Sequence, residues 1–411
     1  MLAISLSEHQ YLCGRAEKIA KQRIGSISQS YHANKVDQAR RRTYEYFRSQ
    51  EAKLHAADRA CRKIGVSCRI SALDIAAQID VYQPCDEPVR YREHRKQSGG
   101  TRTTVIFGPV NTARQLMVLD VLKVTASLPE WQYNASGRGL NRAIEQILST
   151  LSAGLTHFVC VDIANCFPSF EQERIEEILP LPREVIRHTV MADNLVFYPG
   201  IPNRPSRSSY RTYNANALQP RLLAGLPQGS VCSPYVAGLV LSDIATRLPP
   251  TSVLIGYGDD LLVLARAQAE ADEIKITLCD ALHEHRVGSL RLKHCVSGDF
   301  RHTSCEFLGY EISCRDGEPR ADISCTNELK VGQALRSAIA NDCKNRDMEV
   351  PQTRAALDAR LRSFHHWPDL ESFRAAQIEN AKAFVETERM TDAMFIGGID
   401  GRRRAAARRL D

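Results

Sequence analysis

Residues 1–84 read as helical, with polar and basic faces, and this stretch ends at VYQPCDEP (81–88), where two prolines and two acids mark a boundary. A mixed region follows over 85–155. In RYREHRKQSGGTRTTVIF (90–107) the SGG is a turn between two strand-like runs. GRGLNRAIEQILSTLSAG (137–154) is a helix with Leu140, Ile144, Ile147, Leu148 and Leu151 on one face and Gly154 placed to end it. The apolar run HFVCVDIANCF (157–167) is short enough for a buried strand, yet it carries Asp162 near its end.

YPGIPNRPSRSSYRTYNANALQP (198–220) has no period and reads as a loop or irregular hairpin. GLPQGSVCSP (225–234) is a turn leading into a helix, with Ser233 as N-cap, Pro234 at the first helical position, and Val236, Leu239, Val240 and Ile244 as its buried face. VLIGYGDDLLVLA (253–265) reads as a buried hairpin, followed by a helix through AEADEIKITLCDALHEH (269–285) and short strands in CEFLGYEIS (305–313). Beyond about 327 the chain looks helical, with Leu335, Ile339, Leu357, Leu361 and Phe364 as core positions. No internal repeat is visible.

Two adjacent acids, Asp259 and Asp260, stand at the tip of that apolar hairpin. Neighbouring carboxylates in a low-dielectric corner repel unless a proton or a cation sits between them, although a solvated Gly-Asp turn would place them there too. Asp162 lies 97 residues upstream of Asp259 (259 minus 162). If their strands pair, three carboxylates converge into the hard-oxygen donor set that two Mg²⁺ ions about 4 Å apart require.

The charge balance sharpens the partner question. Lys plus Arg number 54 against 48 acids, a net charge of +6, too small by itself to imply nucleic acid. The basic residues cluster, however, in ARRRTYEYFR (39–48), RYREHRK (90–96), NRPSRSSYRTY (203–213) and RRRAAARR (402–409). Aromatics interleave three of these, a pattern that suits phosphates plus base stacking as well as a solvated face. Composition is that of a globular protein, 43% hydrophobic and 25% charged, with no apolar stretch long enough to span a bilayer and no signal-peptide pattern, so a cytoplasmic location away from membranes is expected. The thirteen cysteines are scattered and form no CxxC pair, so neither a disulfide framework nor a zinc site is expected.

VDIANCFPSF (161–170), GLPQGSVCSP, YGDD (257–260) and CEFLGY (305–310) stand in the order and at the spacings of a reverse transcriptase palm, and KQSGGTR (96–102) and SGRGLNRAI (136–144) look like its finger motifs. Over 90–325 the chain resembles the prokaryotic branch that includes retron, group II intron and phage-defence enzymes. The resemblance implies an α+β right-hand polymerase. Its parts would be a helical extension at 1–84, fingers at 85–155, a palm of antiparallel sheet plus helices at 156–325, and a helical thumb with a basic tail at 326–411.

The same resemblance implies site residues. Asp162, Asp259, Asp260 and the Ile163 carbonyl would hold two Mg²⁺ ions, with Mn²⁺ able to substitute. Phe167 would be the steric gate that rejects a ribose 2′-hydroxyl and so selects deoxynucleotides, and Gln228 would pack near the nascent base pair. Lys96 and Arg102 would fold over the triphosphate, with Arg95 competing for the place of Lys96. Lys293 is a candidate general acid for pyrophosphate, or a snorkelling surface lysine. Phe307, Leu308 and Gly309 would form the primer grip.

Departures narrow the branch. There is no Val-Thr-Gly element after the palm as in retron enzymes, Leu226 stands where group II intron proteins carry threonine, and Ser233-Pro234 replaces the Ser-Gln of diversity-generating enzymes. The expectation is a stand-alone RNA-directed DNA polymerase most like the anti-phage defence group, with a non-coding RNA template, dNTP substrates and a DNA product; a second copy or second subunit is left open. The competing readings are a retron-type, untemplated or protein-primed nucleotidyltransferase, and a non-catalytic RNA-binding palm scaffold. The scaffold should have lost an acid, and Asp162, Asp259 and Asp260 are all present.

Overall fold

Helices α1 (Leu6–His32), α2 (Val36–Arg48), α3 (Gln50–Ile64) and α4 (Ala72–Gln78) occupy the N-terminal region of a computed structural model that describes residues 6–65, 71–95, 101–135, 137–193, 195–196 and 224–407. Local chemistry fixes the starts of α3 and α4. Ser49 and Ser71 are N-caps whose hydroxyls accept from Ala52 N at 3.2 Å and Asp74 N at 3.1 Å. On α2, Ala39, Thr43, Tyr46 and Phe47 form the buried stripe, while Arg40, Arg41, Tyr44 and Arg48 stay exposed. On α3 the buried positions are mostly alanines, Ala52, Ala56, Ala57 and Ala60, which allow close approach to α5 (Pro109–Thr125). Tyr46 Oη and Arg59 Nη1 both bond Asp120 of α5, at 3.1 and 2.6 Å. Glu87 fixes the start of α5, its carboxylate accepting from Val110 N at 2.9 Å and Asn111 N at 2.7 Å, where the helix dipole favours negative charge.

The run around SGG forms the expected hairpin. β1 (Arg90–Arg95) pairs antiparallel with β2 (Thr101–Ile106), in a register that sets Tyr91 opposite Val105 and His94 opposite Arg102. Val105 packs with Val89 and Phe107 into a small apolar cluster, with Tyr91 against it, and the outward positions carry the charges.

By its internal packing the chain divides into two compact units, one made of residues 1–135, 161–248 and 275–295, the other of 136–160, 249–274 and 296–411. The second contains α6 (Gly139–Ser152), which buries Ala143, Ile144, Ile147, Thr150 and Leu151, while Leu140 and Leu148 are half-buried at the edge of the stripe. Gly154 follows at φ +89°, a left-handed position that ends the helix as expected. A sheet in the order β4-β5-β3-β6 is built from β3 (His157–Ala164), β4 (Val253–Tyr257), β5 (Asp260–Ala265) and β6 (Arg291–Asp299). Leu261 to Ala265 are fully buried, which explains why that segment is a continuous apolar run.

A second, antiparallel sheet joins β7 (Cys305–Phe307), β8 (Tyr310–Arg315) and β9 (Glu318–Ile323). Helices α7 (Gln172–Ile178), α8 (Ser233–Val240) and α9 (Gln268–His283) come earlier in the chain, and those that follow this sheet are α10 (Cys325–Asn345), α11 (Pro351–Leu361) and α12 (Leu370–Ala407). Leu335, Leu357, Leu361 and Phe364 are buried as expected, but Ala338 takes the core place and leaves Ile339 half-buried. Asp342, fully buried, accepts from Gln352 N (3.0 Å), Thr353 N (2.9 Å) and Thr353 Oγ1 (2.7 Å), and so ties α10 to the start of α11. The fold is therefore α+β, helices with antiparallel hairpins. Among the described residues no helix is long and apolar enough to cross a membrane.

Candidate active site

Strand alternation delivers Asp162. Val159, Val161 and Ile163 are buried on one face of β3, while Cys160, Asp162 and Ala164 on the other are half-buried. A short polar side chain on that second face can reach solvent without stripping its charge of water. Lys293 on β6 donates from Nζ to Asp162 Oδ2 at 2.8 Å. Both side chains are more than a third exposed (34% and 41%), so water weakens the pair, and its main effect is to orient the carboxylate.

Past β3 the chain turns sharply. Asn165 takes φ +48°, and one 3₁₀ turn, Phe167–Ser169, follows. The ring-bearing Phe167 is 7% exposed. Its carbonyl accepts from Leu226 N at 2.9 Å, and a Cβ on Gly225, which sits at φ +62°, would lie 2.1 Å from that oxygen. Glycine is thus required for the 225–230 turn to lie against the Phe167 backbone.

The other side of the same turn is stapled to β2. Gln228 O accepts from Val105 N at 2.7 Å, and Gln228 Oε1 accepts from Arg102 Nε at 3.1 Å. Gly229, at φ +112°, passes so close that a Cβ would meet Val105 O at 2.0 Å. Gln115, buried in α5, adds a further anchor by accepting from Val231 N at 3.2 Å. Three sequence-predicted residues, Arg102, Phe167 and Gln228, are thereby linked through one turn, although 126 residues separate Arg102 from Gln228. One expectation there is corrected. Ser233 is the first residue of its helix rather than the N-cap, and Pro234 the second rather than the first; Cys232 holds the N-cap position, and Ser233 Oγ donates back to Pro227 O at 3.0 Å.

In the second unit the YGDD hairpin closes with Tyr257 opposite Asp260 and a two-residue loop of Gly258 (φ +70°) and Asp259. The expected low-dielectric corner is not what surrounds the acids. Asp259 is half-buried and Asp260 exposed, because the tip projects beyond the apolar ladder, so water screens their mutual repulsion. The FLGY turn is a second tight hairpin, with Phe307 opposite Tyr310 and both Leu308 (φ +52°) and Gly309 (φ +85°) left-handed. Gly309 O accepts from Ser324 N at 3.0 Å and Asn327 Nδ2 at 3.1 Å, and a Cβ there would lie 2.2 Å from Asn327 Nδ2. Leu308 has no such latitude. A branched side chain in the left-handed region is strained, and such strain collects at functional turns.

Lys96 and the basic loop 203–213 lie outside the described residues. The candidate metal ligands, Asp162, Asp259, Asp260 and the Ile163 carbonyl, offer oxygen alone, a donor set that fits a hard divalent cation rather than a thiophilic one. Sequence reasoning missed Gln115 and Asn327, the anchors of the two turns. Gln115 carried one signal, polarity in a largely buried helix, whereas Asn327, in the polar run CTNELK, carried none.

The family described as reverse transcriptase (RNA-dependent DNA polymerase) matches residues 94–312, a little over half of the chain. No curated protein sequence matches it. Among solved structures, the chain is similar to an apo telomerase from Candida tropicalis truncated from its C-terminal domain (11% identity, TM-score 0.35), with 59% of this chain and 56% of that one covered. It is similar to an insertion-loop deletion mutant of the RNA-dependent RNA polymerase of a human picobirnavirus (12% identity, TM-score 0.35), with 74% of this chain and 64% of that one covered. A telomerase from Candida albicans, in complex with a fragment of telomeric RNA, gives 12% identity, TM-score 0.36, and 75% and 58% coverage. The chain spans only 56% to 64% of the length of these structures.

Proposed function

We propose that this chain, which belongs to the reverse transcriptase family, is an RNA-directed DNA polymerase that adds deoxynucleotides to a primer hydroxyl. The observation that carries the reading is the turn that links Arg102 and Gln228 to the backbone of Phe167, five residues beyond the Lys293-oriented Asp162. Asp162, Asp259, Asp260 and the Ile163 carbonyl would hold two Mg²⁺ ions. Ions held there would supply a lowered pKa at the primer hydroxyl and charge neutralisation at the leaving pyrophosphate.

The remaining roles fall to the chain's own side chains. Arg102, aimed by Gln228 Oε1 through one of its five N–H donors, offers the others to the triphosphate, a role the sequence resemblance also gives to Lys96. The Phe167 ring closes the space that a ribose 2′-hydroxyl would need. Lys293 steers Asp162, a bond that supports its reading as the general acid that would give its Nζ proton to the pyrophosphate oxygen freed when the α-phosphorus bond breaks. Phe307, Leu308 and Gly309 grip the primer strand, and the basic stretches at 39–48 and 90–96 neutralise template phosphates.

At the finer level we place the enzyme in the prokaryotic branch, working in the cytoplasm on a non-coding RNA in an anti-phage system; the motif departures at Leu226 and Ser233-Pro234 support that reading. Primer extension on an RNA template with dNTPs and Mg²⁺ tests the activity. DNA product that depends on RNA and on Asp162 is expected, and an Asp162→Asn variant as active as wild type would remove the basis of the proposal.

A further inference from the structure

The sequence offers no CxxC pair, but the N-terminal helices bring together three side chains of another kind. His9 and Cys13 lie one turn apart on α1, and Asp58 faces them from α3; their ligand atoms all fall within 4.8 Å of one another. His9 Nε2 stands 3.6 Å from Cys13 Sγ. A tetrahedral zinc ion with a Zn–S bond of about 2.3 Å and a Zn–N bond of about 2.05 Å sets its sulfur and nitrogen about 3.6 Å apart. We propose that His9, Cys13 and Asp58 form a Zn²⁺ site that clips the first turns of α1 to α3.

The donors favour this ion. A thiolate, a neutral imidazole and a carboxylate carry two negative charges together, which balance a divalent cation, and a soft sulfur with a ring nitrogen selects Zn²⁺ over the hard cations of the polymerase site. Cys13 is 7% exposed, with His9 and Asp58 half-buried around it, so the sulfur is sheltered while the ion keeps a route in. Arg62 is the competing partner, since it pairs with Asp58 Oδ2 one turn away on α3. Its side chain is 70% exposed against 14% for Asp58, so the guanidinium is solvated and can yield, or stay on Oδ2 and orient the carboxylate while the other oxygen is left for the ion. Three protein ligands leave a fourth position to water.

The test uses the full-length chain, stripped with chelator and then titrated with Co²⁺ as an optical probe and with Zn²⁺ against a chromophoric chelator. The wild type should show a near-ultraviolet thiolate-to-Co²⁺ band that saturates at one equivalent. Cys13→Ser should abolish that band and weaken Zn²⁺ by more than about 100-fold, beyond the roughly 10–100-fold carried by partners that only orient a ligand. Asp58→Asn and His9→Gln, at half-buried positions that tolerate polar replacement, should each weaken Zn²⁺ at least tenfold and abolish the rise in melting temperature that Zn²⁺ gives the wild type. They carry the test if the serine variant fails to fold. Zn²⁺ affinity unchanged in these variants, or a cobalt spectrum without a thiolate band, would mean that the 3.6 Å contact is only an S–H···N hydrogen bond and would overturn the proposal.

Discussion

Gly229→Ala perturbs the turn that assembles the proposed nucleotide site. The new Cβ would lie 2.0 Å from Val105 O, whereas real Cβ contacts essentially never fall below 3.0 Å, so the turn and β2 must part by about 1 Å. Holding a non-glycine residue at φ +112° adds strain of about 1–3 kcal/mol. The parting lengthens the 2.7 Å bond from Val105 N to Gln228 O, a loss of about 1 kcal/mol. It also loosens the exposed Arg102–Gln228 bond, for a few tenths more, so the sum is about 2–4 kcal/mol. A total stability of about 5–15 kcal/mol leaves the protein folded.

Denaturant unfolding should register that loss. Primer extension should show KM for dNTP raised about tenfold or more, since about 1.4 kcal/mol of misplaced Arg102 contact is a factor of ten. The control is Gly332→Ala, in α10 with nothing within 4 Å of the new methyl, which should stabilise by about 0.5–1 kcal/mol and leave KM alone. A Gly229→Ala variant with wild-type stability and wild-type kcat/KM would refute the claim that this turn positions the nucleotide.

Other substitutions probe other joints. Leu308→Gly relieves the φ +52° strain and should hold or raise stability by up to about 1 kcal/mol while weakening primer binding; a clear drop in unfolding midpoint would show that Leu308 is there for packing alone. Asp342→Ala strips three bonds from a fully buried joint between α10 and α11 and should cost about 3 kcal/mol by urea unfolding, with Asp342→Asn in between; a loss under about 1 kcal/mol would contradict it. Phe167→Val should raise ribonucleotide incorporation by orders of magnitude, up to roughly a thousandfold if the clash is worth about 4 kcal/mol, with deoxynucleotide use only modestly impaired. Unchanged selectivity would make Phe167 a core residue and nothing more.

Much of the site could be read locally. The apolar run ending in Asp162, the hairpin tipped by Gly258 and Asp259, and the glycine-rich turn at 225–229 each carry their own structural signal within a dozen residues. What escaped depends on distant partners. Lys293 and Asp162 are 131 residues apart, and their bond exists only because β6 lies next to β3. β6 itself gave no strand signal, since an edge strand such as RLKHCVSGD stays largely exposed and needs no apolar alternation. Ser233 carried a correct helix-start signal displaced by one position, because its hydroxyl is drawn back to Pro227 O. The exposure of Asp260 was invisible for a similar reason: the apolar neighbours in sequence lie along the strand, not around the tip.

The most direct measurement of the central claim is Mg²⁺-dependent DNA synthesis on an RNA template by the Asp259→Asn, Asp260→Asn double variant. Asp260 is exposed and Asp259 half-buried, so the substitutions should change stability by no more than about 0.5 kcal/mol, which unfolding of the same preparation checks. With the fold intact, the account predicts that primer extension by the double variant vanishes. Wild-type extension by the folded double variant would contradict it, and the YGDD tip would then be a solvated turn.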